Sequence, residues 1–357
     1  MKTSLTATTL TPALSPRRGG NVRRLPRART AGFAGRLHKN PNVGAGGSLS
    51  PGERVGVRAS VVAAAIVAGF LCAQNLLAAP ETKSTTAPVI NQRYKIALCD
   101  WMILKRQKLG AFQLTKDIGA DGVEVDMGSL GTNDTFVSAI TPDAALRQQF
   151  LDKARELNLE IPSLAMSGFY AQSFAERPTV PRMVQDCIDT MVAMKVKIAF
   201  LPMGVRGDLV KHPELRPAIV ARLKTIAPIA ERAGVIIGLE TSLPAAEEIK
   251  LLDEVGSPAV KCYFNFSNAL SAGRNVPDEL RTLGKDRICQ IHATDEDGVW
   301  LQNDPKVDVL KVKQTLDDMG WSGWLVIERS RDAKDARNVK KNFGANTAYL
   351  KSVFQKP

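Results

Sequence analysis

The sequence predicts an α/β protein folded as a (β/α)8 TIM barrel. From residue 95 onward, eight short apolar runs alternate with longer amphipathic stretches. The alternation occupies about 260 residues, the usual size of such a barrel. Each run ends in polar or glycine-containing sequence, as buried parallel strands do. A doubly wound open sheet also alternates strand and helix, but it usually shows a glycine fingerprint after an early strand, and none is present. No second folded domain is required.

The runs are KIALCDWM (95–102), GVEVDMG (122–128), EIPSLAMSG (160–168), KIAFLPMG (197–204), VIIGLET (235–241), VKCYFNF (260–266), RICQIHATD (287–295) and WLVIERS (324–330). Between them the pattern is helical. PDAALRQQFLDKARELNL (142–159) offers Thr141 as N-cap and Pro142 as first helical residue, with Leu146, Phe150, Leu151, Ala154 and Leu157 at helical spacing. LRPAIVARLKTIAPIAERAG (215–234) and VDVLKVKQTLDDMG (307–320) both end in glycine, a common helix stop.

Ahead of the barrel the composition changes. Residues 1–79 carry 11 Lys and Arg against one acidic residue, Glu53, whereas the rest of the chain holds 37 basic and 35 acidic residues. The leader therefore carries +10 of the formal charge of +12. The near-neutral body gives no electrostatic case for nucleic acid as a partner. Residues 51–79 read as a signal peptide: Arg54 and Arg58, then the apolar run VVAAAIVAGFL, then small residues at Ala78 and Ala79. The expected location is periplasmic or secreted, with membrane contact only through a leader left uncleaved. Residues 1–50, rich in Arg, Gly, Pro and Ser, cannot build a core and are expected to be disordered or not translated. A non-Met start near Val55 or Val57 is compatible with this, and residues 80–94 read as a linker. Cys99, Cys187, Cys262 and Cys289 are scattered and fit neither a zinc ribbon nor a disulfide scaffold.

Barrel enzymes place their functional groups at the carboxyl ends of the strands. Here four successive strand ends carry Glu240, Asn265, His292 and Glu328, at intervals of 25, 27 and 36 residues, one strand–helix unit each. Two carboxylates, an imidazole and an amide oxygen form a donor set suited to a divalent cation such as Mn, Mg, Co or Zn. A histidine in an apolar strand is more often a satisfied core residue, but three partners at matching positions favour ligation for His292. Glu240 and Glu328 each end an apolar run, where a glutamate without a partner is costly. An ion pair with Arg329 is the alternative for them. Two such carboxylates could instead act as acid and base, exchanging a proton beside a carbonyl. Asp100, Trp101, Glu124 and Asp295 are further candidates for contact with substrate, Glu124 sharing its strand with Asp126. Trp321 and Trp324 precede the eighth strand, at the opposite end, and read as structural. His212 reads as a loop or helix-start residue.

The stretches IIGLET, VKCYFNFSNAL, QIHATDEDG and GWSGWLVIERS resemble the xylose isomerase-like barrel family of sugar phosphate isomerases/epimerases, over roughly residues 95–354. The resemblance implies a divalent metal held by Glu240, Asn265, His292 and Glu328, with the two glutamates as acid and base in ketose epimerisation. The chain departs from the family pattern in several places. Asn265 replaces the usual strand-six Asp, and Asn268 stands where some relatives carry a substrate-contacting His. Thr294 replaces a common Lys, and LQNDPKVD replaces a glycine-containing loop. No basic cluster marks a phosphate site. The expected activity is that of an exported metal-dependent isomerase or epimerase working on a small sugar or keto-sugar through an enediolate. A lyase or hydratase on keto-sugars and a non-catalytic sugar-binding protein are alternatives, and a homo-oligomer is left open.

Overall fold

The computed structural model describes residues 92–355. The expected leader (51–79), the extension (1–50) and most of the linker (80–94) lie outside the described residues. Eight parallel strands form one closed barrel in sequence order. They are β1 (Tyr94–Cys99), β2 (Gly122–Asp126), β3 (Ser163–Ala165), β4 (Ile198–Pro202), β5 (Ile236–Glu240), β6 (Val260–Asn265), β7 (Ile288–His292) and β8 (Gly323–Ile327). Closure runs through β1 and β8, with Tyr94 opposite Gly323 and Leu98 opposite Ile327.

Helices α1 (Gly110–Ile118), α2 (Ala144–Glu156), α3 (Val180–Met194), α4 (Arg216–Ala233) and α5 (Ala245–Val255) follow the first five strands. Two helices, α6 (Phe266–Ser271) and α7 (Val276–Leu283), follow β6, and α8 (Val309–Asp318) and α9 (Val339–Phe354) complete the ring. Gly234 caps α4 in the left-handed region, as its sequence predicts. The start of α2 differs from the expectation. Asp143, not Thr141, is the N-cap, accepting the Leu146 N–H at 2.9 Å. Thr141 instead donates to Ser138 Oγ at 2.8 Å, because its hydroxyl is committed to the preceding turn. Trp324 belongs to β8 itself rather than to the segment before it. Among the described residues, no helix is long and apolar enough to cross a membrane.

Alternate strand residues face the helices or the barrel interior. The helix-facing set, with Val123, Val125, Ile237, Leu239, Leu325 and Ile327 among it, forms the large core. The interior holds the smaller cluster of Ala97, Cys99, Ala165, Phe200, Tyr263 and Val326. It is tightly filled: a Cβ on Gly238 would come within 2.8 Å of Cys289 Sγ. A polar ladder also crosses the interior. Gln290 Nε2 donates to Ser163 Oγ and to the Tyr263 hydroxyl, both at 2.8 Å, and that hydroxyl donates to Glu124 at 3.1 Å. Cys99, Cys187 and Cys262 are buried free thiols, and Cys289 is a free thiol that is half-buried.

Candidate active site

The four predicted strand-end residues converge. Glu240, Asn265 and His292 are the last residues of β5, β6 and β7, and Glu328 directly follows β8. The register between β6 and β7 sets Asn265 beside His292. Thr294 holds the end of β8 in place, its hydroxyl accepting the backbone N–H groups of Glu328 at 3.2 Å and Arg329 at 3.0 Å.

His292 is fully buried and engaged on both nitrogens. Nδ1 lies 3.0 Å from Glu240 Oε2 and 3.8 Å from Glu328 Oε2, while Nε2 lies 3.2 Å from Glu124 Oε2. Burial disfavours the imidazolium, but the Glu328 charge and the bonded Glu124 and Glu240 carboxylates outweigh it and raise the pKa well above the ordinary histidine value. Burial also raises the Glu328 carboxyl, against the opposing pull of the His292 charge.

The donor spacing suits a cation. Ligands about 2.1 Å from an octahedral divalent ion lie about 3 Å from their neighbours. His292 Nδ1 stands at that spacing from Glu240 Oε2, at 3.0 Å, and farther, at 3.8 Å, from Glu328 Oε2. Asn265 is the exception. Its oxygen caps α6, accepting the Ser267 N–H at 2.8 Å, and its nitrogen donates to Glu240 at 2.8 Å and Glu328 at 3.4 Å. The expected oxygen ligand is thus turned away. To offer it, the amide must rotate by half a turn and abandon the cap. An aspartate could serve both purposes with its two oxygens.

On the other side of the ring, Cys99 Sγ, Glu124 Oε2 and His292 Nε2 lie within 4.8 Å of one another, all buried. Burial and the Glu124 charge raise the Cys99 thiol well above its ordinary pKa, so it stays protonated and a poor ligand. The Nδ1 side is also the open one: Glu240, Asn265 and Glu328 line a cavity of about 350 Å³ at the barrel mouth.

The expected substrate contacts divide. Asn268 lines the same cavity, donating to the Thr241 carbonyl at 3.0 Å. Trp101 lines a neighbouring cavity of about 360 Å³. Asp100, Glu124 and Asp295 line neither and lie beneath the surface of the mouth. Asp100 accepts the N–H groups of Gln107 and Asp126, which fixes the β1–α1 loop. Burial, then the Asp126 charge, raises its carboxyl well above the usual range. Asp295 pairs with Lys306 at 2.7 Å. Glu124 stands two residues before the end of β2, about 7 Å lower, so its carboxylate meets the underside of His292.

Sequence reasoning missed Tyr170 and the mouth role of Arg329. The Arg329 guanidinium carbon lies 5.8 Å from the Tyr170 ring centroid, and both residues line both cavities. The alternative considered for the strand-end glutamates, an ion pair with Arg329, is not formed at contact distance, although the Arg329 charge still acts on Glu328. Tyr170 closes a short 3-10 turn (Ser167–Tyr170) after β3, and GFY directly behind that apolar run was the available signal.

Residues 112–353 match the family described as the xylose isomerase-like TIM barrel. A 2-epi-5-epi-valiolone 7-phosphate 2-epimerase from Actinoplanes sp. is 25% identical over 209 residues, which cover 56% of this chain and 72% of that protein. Among solved structures, D-psicose 3-epimerase, determined in the presence of D-fructose, superposes with a TM-score of 0.58 at 12% identity, over 73% of this chain and all of that one. A 3-keto-D-glucoside 4-epimerase from E. coli gives 0.54 at 15% identity, over 72% of this chain and 99% of that one.

Proposed function

Because the chain belongs to the xylose isomerase-like TIM barrel family, we propose that it is a divalent-metal-dependent isomerase or epimerase of a ketose or other keto-sugar. The observation that carries this reading is the placement of Glu240 and Glu328 on the wall of one cavity, both turned toward His292 Nδ1. The relatives named above are epimerases of sugars or sugar-like rings, which supports the same class.

Glu240, His292 and Glu328 are the residues that would hold the cation; Asn265 joins them only if its amide turns. A divalent ion there supplies an electrophile that polarises the sugar carbonyl. The protein supplies the rest. One glutamate takes the proton from the carbon beside the carbonyl, leaving an enediolate. The other, protonated, returns a proton to the opposite face. Burial keeps Glu328 able to hold a proton nearer neutrality than a free carboxyl, as an acid in this role requires. The Asn265 amide donates to both carboxylates and fixes their orientation.

One observation favours a second reading, a non-catalytic sugar-binding protein: the Asn265 oxygen is committed to the α6 cap. Two measurements on protein from residue 80 onward separate the readings. Elemental analysis should find near-stoichiometric Mn, Mg, Co or Zn. Incubation with D-fructose or D-allulose in D2O should place deuterium beside the carbonyl. Bound metal without exchange on any keto-sugar would favour the binder, and neither metal nor exchange would overturn the enzyme reading.

The proposal includes export to the periplasm or exterior, supported by the composition of residues 51–79. N-terminal sequencing of protein recovered from that compartment tests it. A terminus near Ala79 agrees with export, and protein confined to the cytoplasm contradicts it.

A further inference from the structure

The barrel mouth is divided in two. Tyr170 comes from the β3 side and Arg329 from the end of β8, and they meet across the opening. One cavity lies on the β4–β8 side of this bridge and the other on the β1–β4 side, and Tyr170, Glu328 and Arg329 line both. The bridge is anchored. Val205 N–H donates to the Tyr170 carbonyl at 2.8 Å. Gly204, at φ 53°, passes so close that a Cβ there would come within 2.2 Å of that same oxygen. Only glycine lets the β4 loop close on Tyr170 in this way.

The two cavities differ in kind. The β4–β8 cavity is polar, with Asp208, Lys211, Thr241, Asn268 and Arg274 beside the carboxylates. The other has an apolar wall of Trp101, Met102, Leu130, Phe200 and Pro202. Trp101 lies nearly parallel to Phe200, with centroids 6.2 Å apart and planes 11° apart. Arg106 and Gln172 bring polar groups to its edge. An aromatic platform with a few polar groups around it suits a pyranose, whose C–H face packs on the ring while its hydroxyls reach the rim.

We infer that the apolar cavity binds a second sugar ring, so that the substrate is a glycosylated keto-sugar spanning both cavities, with its reacting carbons beside Glu328. The inference rests on the keto-sugar reading of the site. One hexose ring occupies one cavity and leaves the other, of equal size, without a role. A glycosyl-ketose uses both, and Glu328 stands at their junction.

The test compares D-fructose with three glucosyl-fructoses, turanose, maltulose and isomaltulose, by calorimetric titration of metal-loaded protein. At least one disaccharide should bind about tenfold tighter than D-fructose, the gain expected from one aromatic stack and its buried area. In Trp101→Ala, and separately in Gln172→Trp, which fills the apolar cavity from its rim, the affinity ratio should fall toward one. Equal affinity for D-fructose and all three disaccharides overturns the inference. So does a gain that survives both substitutions, or the absence of binding by any of the four sugars. Deuterium exchange is measured on the same samples. Discrimination without exchange would sink the catalytic reading and leave the second binding site standing; exchange without discrimination would do the reverse.

Discussion

His292 Nε2 and Glu124 Oε2 lie 3.2 Å apart, and both side chains are fully buried beneath the barrel mouth. This contact gives the lower nitrogen a fixed carboxylate partner, so Nδ1 is the atom left to face Glu240 and Glu328. Carboxylates in this position orient metal-binding imidazoles and raise their basicity. Glu124→Gln should therefore lower divalent affinity by about 10–100-fold. Titration with Mn²⁺ followed by electron paramagnetic resonance reads this directly. A purely structural Glu124 predicts lower thermal stability with unchanged Mn²⁺ affinity.

Asn265→Asp should have opposite effects with and without a cation. One aspartate oxygen keeps the Ser267 cap and the other faces the ion, which should tighten Mn²⁺ binding at least about tenfold. Without metal, the substitution removes two N–H donors and adds a carboxylate beside Glu240 and Glu328. The protein should then lose about 1–3 kcal/mol of stability. Thermal unfolding in EDTA and in excess Mn²⁺ checks both signs; a variant less stable in both conditions would contradict the assignment.

Glu240→Gln and Glu328→Gln should each lower kcat by about 10²–10⁴-fold if each glutamate transfers a proton. The two need not fail alike. The variant that keeps its base should still wash deuterium into the sugar while failing to invert the carbon. Mass spectrometry of recovered sugar, beside product analysis, identifies which glutamate acts first. Full turnover in either variant would remove that residue from the mechanism.

Glu248 supplies a pH signature of its own. It is buried against Thr241, its Oε1 has no hydrogen-bond partner, and burial pushes its carboxyl up to about 7. The folded state therefore keeps a proton that the unfolded chain has released, and stability falls as pH rises from the unfolded value of 4.5 through about 7. By about pH 8 the cost is on the order of 3 kcal/mol. Glu248→Gln should melt close to wild type at about pH 5 and several degrees higher at about pH 8. A melting difference that stays constant with pH would contradict this.

Much of the site was legible because a barrel converts sequence position into height. Glu240, Asn265 and His292 each close an apolar run, and each is the last residue of its strand. The same rule explains the misplacement of Glu124. The run GVEVDMG gives no sign of whether its third or fifth residue marks the mouth, and β2 extends to Asp126. The Asn265 orientation depends on a detail that was readable in principle. Asparagine is a favoured N-cap, and β6 passes into α6 without a loop, so the side-chain oxygen was already claimed. The Tyr170–Arg329 bridge was not readable. The two residues are far apart in sequence, and nothing local to either specifies the other.

The free thiols bear on the proposed export. Were the chain exported as proposed, the four free cysteines of its described residues would meet an oxidising compartment in which exposed thiolates cross-link. Burial pushes Cys289 up to about 12 and holds Cys99, Cys187 and Cys262 above their ordinary values as well. Attack on a disulfide requires the thiolate, so this core is chemically silent toward oxidants while folded. Folding then shields these thiols: in chains that close the barrel quickly they stay reduced, and in any that linger open they are exposed to oxidation and mispairing.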